Sequence, residues 1–134
     1  MKYKFIEHTG DIKIQVYGKT LNEVFENSVI AISEYISRGK KIKSAKGKTV
    51  DVSGNDLESL FYNFLDELIY LIDADNFISV KAKVAIRGNN LHAELFGDSA
   101  SDYKELDQIK AATYSEMYVK KTPAGWEAQA VLDV

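Results

Sequence analysis

Apolar and polar residues alternate after Asp11: Ile12, Ile14 and Val16 fall on one side, Lys13, Gln15 and Tyr17 on the other. That period of two predicts a half-buried strand, and Lys2 to Glu7 reads as a shorter strand before the Gly10 turn. After Gly18-Lys19 the period changes. Leu21, Val24, Phe25, Ser28, Ala31, Ile32, Tyr35 and Ile36 recur at helical spacing and predict an amphipathic helix over residues 21–37. Thr20 is placed as its N-cap with Glu23 completing a capping box, and Gly39 after Ser37-Arg38 supplies a left-handed stop.

A second helix is predicted near residues 56–73. Leu57, Leu60, Phe61, Phe64, Leu65, Leu68, Ile69, Leu71 and Ile72 cover more than a narrow stripe, so this helix is expected to be the central buried element. Asn55 is its expected cap, with Glu58 at the box position. Before it, only Val50-Asp51-Val52 carries a strand signal. After Asp73-Ala74-Asp75-Asn76, strands return. Val80, Ala82, Val84 and Ile86 alternate with polar or small residues, Gly88-Asn89-Asn90 marks a hairpin, and Leu91, Ala93 and Leu95 come back along it. Residues 97–108 are polar and are expected to form a loop with a binding role. Strand patterns resume from Ile109 to Lys121 and, past the Thr122–Gly125 turn, from Trp126 to Val134. The expected architecture is α+β: two amphipathic helices packed on a mixed, mostly antiparallel sheet, in one domain over residues 1–134.

Composition narrows the function. Of the 134 residues, 46% are hydrophobic and 28% charged, which fits a packed core and excludes wholesale disorder. Seventeen Lys and Arg oppose twenty Asp and Glu, and a net charge of -3 argues against a protein that coats nucleic acid by charge. The cluster Lys40, Lys41, Lys43, Lys46 and Lys48 looks like a phosphate patch, but it has no interleaved aromatic residue, and lysines also protect strand edges. Cysteine is absent, so disulfides, thiolate zinc sites and thiol catalysis are excluded. The basic start has no long apolar run behind it, and no stretch reaches the ~20 apolar residues of a membrane span, so a cytoplasmic location is expected.

Candidate chemistry sits near the two ends of the chain. Glu7-His8-Thr9-Gly10-Asp11 gathers two carboxylates and a histidine beside a glycine. Leu132-Asp133-Val134 places a carboxylate next to the last residue, whose α-carboxylate is expected to stay near Asp133 if the final strand holds it. If the first and last strands are neighbours, Asp11, Asp133 and a Val134 oxygen form an oxygen-only set, which suits calcium, magnesium or manganese better than zinc. His8 is open to three roles: ligand, base or turn cap. Lys110, entering a strand beside the polar loop, is placed to meet a phosphate, an acidic partner or the carboxylates. Asp73-Ala74-Asp75-Asn76 lacks the glycine and closing glutamate of a calcium loop. No Ser-His-Asp spacing, Walker loop or dinucleotide fingerprint is present.

The chain resembles the archease family. The resemblance runs from Phe5 to Val134 through Glu7–Asp11, Tyr17-Gly18-Lys19-Thr20-Leu21 with Phe25 and Asn27, Asp56–Leu60, Leu65–Tyr70, Ile109–Tyr114, Gly125–Ala128 and Leu132–Val134. It implies a non-catalytic activator of the RNA-splicing ligase RtcB. Such a protein would promote the ligase's guanylylation from GTP and its multiple turnover in tRNA splicing or RNA repair, with indirect contact to GTP or RNA through the ligase and direct contact left open. It also implies a divalent-cation site at Asp11, Asp133 and Val134, and a functional lysine at Lys110, with Glu7 and His8 in the motif beside them. The early motif often has alanine where this chain has Gly10, a mild change. The chain also departs from the family in residues 97–107, which lack the Asp-Pro or Arg-His pair often found before the Lys-Ala-x-Thr-Tyr segment. On the residues alone, a small metal-dependent hydrolase with His8 as base and a chaperone-like binding module stay open.

Overall fold

The computed structural model describes every residue except Thr9, and the backbone but not the side chain of His8. Strand β1 (Tyr3–His8) turns into β2 (Asp11–Gly18), and helix α1 (Leu21–Ser37) follows. Strand β3 (Lys46–Ser53) leads to helix α2 (Leu57–Asp75), then to the hairpin of β4 (Phe77–Arg87) and β5 (Asn90–Ser99). A short 3-10 turn over Ala100–Asp102 precedes β6 (Ala111–Thr122) and β7 (Gly125–Asp133).

The strands form two sheets where one was expected, ordered β1-β2-β7-β6 and β3-β5-β4. Every described pairing is antiparallel, so the expected mixed character is corrected. The helices belong to the strand edges as much as to the sheet faces. Glu26 and Asn22 of α1 accept hydrogen bonds from the backbone N–H groups of Val84 and Ile86, at 2.8 and 3.0 Å. These side chains cover donors that edge strand β4 would otherwise leave open to another chain. Helix α2 packs against β6, the edge strand of the other sheet, through contacts that include the Tyr62–Tyr114 ring stack.

The alternation read in the sequence decides which face is buried. Ile14 and Val16 of β2, Ala128, Ala130 and Leu132 of β7, and Ala112 and Val119 of β6 enter the core. From the other sheet come Val50, Leu91, Ala93, Leu95 and Val84. Phe25 of α1 joins them to α2, with ring centroids 5.1 Å from Phe61 and 5.6 Å from Phe64.

Helix α1 begins and ends where its periodicity places it. Thr20 accepts from the Glu23 N–H, and the stop falls on Arg38, itself left-handed at φ 55°, one residue before Gly39. The cap of α2 is Asp56 and not Asn55: the Asp56 carboxylate accepts from Ser59 N–H at 2.7 Å, and the Ser59 hydroxyl closes the box by accepting from Asp56 N–H. Strand β3 is longer than the Val50–Val52 fragment, and β5 reaches Ser99, into the segment expected to be loop. Among the described residues, no helix is long and apolar enough to cross a membrane.

Candidate cation site and the adjoining lysine groove

Cross-strand register brings the two ends of the described chain together. Asp11 of β2 lies directly opposite Asp133 of β7, and Asp133 lies opposite Ala111 of β6. Ile12 and Leu132, one position along, face each other on the buried side, so both aspartates occupy the outer face of the sheet. Both are half-buried. Like charges directly opposite on one face repel, which makes this row a place where positive charge is favoured. Gly10, at φ 74°, sets the turn that starts β2 at Asp11.

The next row on that face is Lys13 opposite Val131. The Lys13 ammonium is largely covered and lies 3.1 Å from the Glu116 carboxylate. Glu116 reaches it from a bulge in β6, where the register with β7 slips between Thr113 and Tyr118 and Glu116 turns left-handed at φ 54°. The Glu116 carbonyl accepts from Gln129 Nε2 at 2.7 Å. Gln129 in turn accepts from Gln15, and Gln15 accepts from the Tyr17 hydroxyl. This network holds the bulge over Val131, which is 1% exposed although it lies on the outer face.

Among the described contacts, Lys110 meets the carboxylate row through its backbone. Its N–H donates to the Asp133 carbonyl at 2.7 Å. Its side chain lines a separate groove of about 410 Å³ with Asp66, Ile69, Tyr70, Asp73 and Ala74 of α2. Glu7 is opposite Ile12 in register, on the face of β1 that carries Tyr3 and Phe5, so the structure does not bring its side chain to the aspartates. The backbone of His8 pairs with Asp11, while its expected roles as ligand or base rest on a side chain outside the described residues, as does Thr9. Val134 follows Asp133 directly and is half-buried.

The donor chemistry of this row fits a hard cation. Asp11 and Asp133 offer carboxylate oxygens, and Val134 adds main-chain oxygen. Among the described residues, no three His, Cys, Asp or Glu side chains gather as a metal cage, so side-chain ligation would rest on the two aspartates.

The remaining sequence candidates resolve into structural roles. Lys46 donates to Ser99, Lys48 pairs with Asp75 at 2.9 Å, and Lys40 donates to the Lys104 carbonyl, so much of the lysine cluster ties strands and loops together. In the segment 97–108, buried Asp98 accepts from the Tyr103 hydroxyl at 2.7 Å and from Ser99 N–H at 2.9 Å. These bonds, the Tyr103 one first, hold its carboxyl below the usual aspartate range. His92 is exposed as expected and lies 2.8 Å from Asp51.

Sequence reading missed Lys13, Glu116 and Gln129, whose meeting depends on a bulge, and also the α2 residues of the groove. A signal for the latter exists: Tyr62, Asp66, Tyr70 and Asp73 recur along one side of the helix, but the tyrosines merge with the apolar pattern.

Two antiparallel sheets, each packed against a helix, with a cross-strand aspartate pair at one end, define a small α+β protein. The model of the Archease protein family (MTH1598/TM1083) matches residues 3–134. The chain is 38% identical to the protein archease of Methanosarcina barkeri, covering 99% of this chain and 96% of that one. It is 36% identical to that of Pyrococcus abyssi, covering 99% of each. The chain belongs to the archease family. Its fold is similar to the solution structure of Methanobacterium thermoautotrophicum protein 1598, at TM-score 0.77 and 25% identity, over 99% of each chain. The fold is shared as well with the crystal structure of an archease, "possible chaperone" (TM1083), from Thermotoga maritima, at TM-score 0.65 and 20% identity over 98% of this chain and 96% of that one.

Proposed function

We propose that this protein is a non-catalytic activator of the RNA-splicing ligase RtcB, acting in the cytoplasm to promote guanylylation and multiple turnover in tRNA splicing or RNA repair. Membership of the archease family supports the reading. The observation that carries it is the row Asp11–Asp133, joined to Lys110 by the backbone bond from Lys110 N–H to the Asp133 carbonyl. In this reading Asp11, Asp133 and a Val134 oxygen hold a divalent cation, calcium, magnesium or manganese. When bound, such an ion supplies positive charge that balances nucleotide phosphates. Lys110 is fixed to that row at its backbone and carries its ammonium into the adjoining groove against α2, where it would meet an acidic or phosphate group on the ligase. GTP and RNA are reached through the ligase.

The test is guanylylation of the cognate ligase under single- and multiple-turnover conditions, with and without this protein. A gain in turnover that disappears in Asp11→Asn and Lys110→Ala is expected. Absence of any gain overturns the reading, and phosphoester hydrolysis by the isolated protein would favour the hydrolase alternative.

A further inference from the structure

Helix α2 carries an exposed stripe that the cation row does not use. Tyr70 is 60% exposed and Tyr114 of β6 is 55% exposed, high values for large aromatic side chains. Tyr114 stacks face to face on Tyr62, with centroids 4.2 Å apart and planes within 7°. Along the helix between and beyond these rings, Asp66 and Asp73 are exposed. Asp56, at the N-cap, lies near enough to act electrostatically on the Tyr114 hydroxyl. At the far end the stripe becomes the groove that Lys110 lines, and Lys110 is bonded to Asp133. Flat aromatic faces alternating with carboxylates are a surface for guanidinium groups, which stack on rings and fork onto carboxylates. Tyrosine and arginine are also the residues that concentrate binding energy at interfaces. The acidic charge of the stripe disfavours a phosphate backbone.

We propose that Tyr62, Asp66, Tyr70 and Asp73 of α2, with Tyr114 of β6, dock a basic, arginine-bearing segment of the ligase and so deliver its active site to Lys110 and the aspartate row. This rests on the activator reading and names the surface that reading leaves open. Docking and activation are then separable. Residues of the stripe set how much protein is needed, whereas the cation row and Lys110 set what happens once it is bound.

The experiment titrates the wild-type protein, Tyr70→Ala and the double variant Asp66→Lys with Asp73→Lys into the cognate ligase. It reads guanylylation and, in parallel, binding by calorimetry. These side chains are exposed, and matching thermal melts confirm that each variant is folded. The half-maximal concentration should rise about tenfold or more in each variant, with full stimulation recovered at saturation. Unchanged half-maximal concentrations overturn the proposal. Wild type that binds with variant-sensitive affinity but does not stimulate would leave docking standing and remove the activator reading. Wild type that does not bind removes both. Variants that lose binding to a single-stranded RNA in a gel-shift assay, but not to the ligase, would show that the stripe serves the wrong class of partner for this proposal.

Discussion

Lys110 donates its backbone N–H to the carbonyl of Asp133 at 2.7 Å, while its side chain leaves for the groove against α2. The two residues are therefore tied where neither has its charge. Replacing the Lys110 side chain leaves the bond to Asp133 in place, because every residue but proline has that N–H. Lys110→Ala should accordingly keep calcium or manganese affinity within about twofold of wild type, well under 1 kcal/mol, while abolishing stimulation of the ligase. Calorimetric titration of the ion beside the guanylylation assay checks both halves. A change in ion affinity well beyond twofold, in either direction, would mean that the Lys110 side chain acts on the cation site after all.

The aspartate row makes an opposite pair of expectations for stability with and without ion. Asp11 faces Asp133 directly across the β2–β7 ladder. Like charges directly opposite across a strand pair are destabilising. In chelator, Asp133→Asn should therefore melt at the same temperature as wild type or slightly above it. With excess calcium or manganese the order should reverse, because an ion that binds only the folded state stabilises the chain that holds it. Thermal melts of both proteins in both buffers decide this, and a variant that gains as much from the ion as wild type does would remove Asp133 from the ligand set.

Acid sensitivity should come in part from Asp98. Its carboxyl is held below the ordinary value of 3.8, first by the Tyr103 hydroxyl and then by Ser99 N–H, with the Lys46 and Lys43 charges adding to the effect. A depressed folded-state pKa contributes stability that is present above the unfolded value and is lost as pH falls through the folded one. Tyr103→Phe removes the largest cause. The variant should be least stable relative to wild type at neutral pH, and the gap should narrow as pH drops below about 4. Part of the gap will persist, since the Tyr103 hydroxyl also accepts from Lys43 N–H at 3.0 Å whatever the pH. A gap of constant size from pH 7 to pH 2.5 would show that Asp98 takes no part.

Helix α1 was legible in its bounds because its periodicity and its Thr20 cap agree, although its left-handed stop falls on Arg38, one residue before Gly39. Helix α2 was legible in its body but not at its start, where Asn55 and Asp56 compete as caps and the hydroxyl of Ser59 favours Asp56. Strand β3 hid because only Val50 and Val52 show an inward pattern. The inward position at Lys48 is filled by a stem that carries its charge out to Asp75. The meeting of Asp11 with Asp133 was expected from the two ends both being strands, yet their direct opposition is a matter of register, which local pattern does not encode. The outward path of the Lys110 side chain and the Glu116 bulge over Val131 depend on contacts between elements far apart in sequence. A period of two gives no sign of them.

The bulge in β4 carries the last prediction. Between Ser79 and Lys81 the register with β5 slips, and Gly97 sits opposite Ser79 at that point. A Cβ built on Gly97 would stand 1.8 Å from the Ile78 carbonyl oxygen and 2.8 Å from its carbon. Both are backbone atoms in a paired strand, so relief requires the β4–β5 ladder to open. Gly47, on edge strand β3, faces only the Leu95 carbonyl at 3.8 Å, ordinary contact distance. Gly97→Ala should therefore cost about 3 kcal/mol or more, at or beyond the top of the usual overpacking range. Gly47→Ala should stay within about 0.5 kcal/mol of wild type. Urea unfolding of the two variants gives the comparison directly. Comparable midpoints would mean that β4 shifts freely at its bulge, and that the placement of Asp98 at the end of β5 does not depend on the close approach at Gly97.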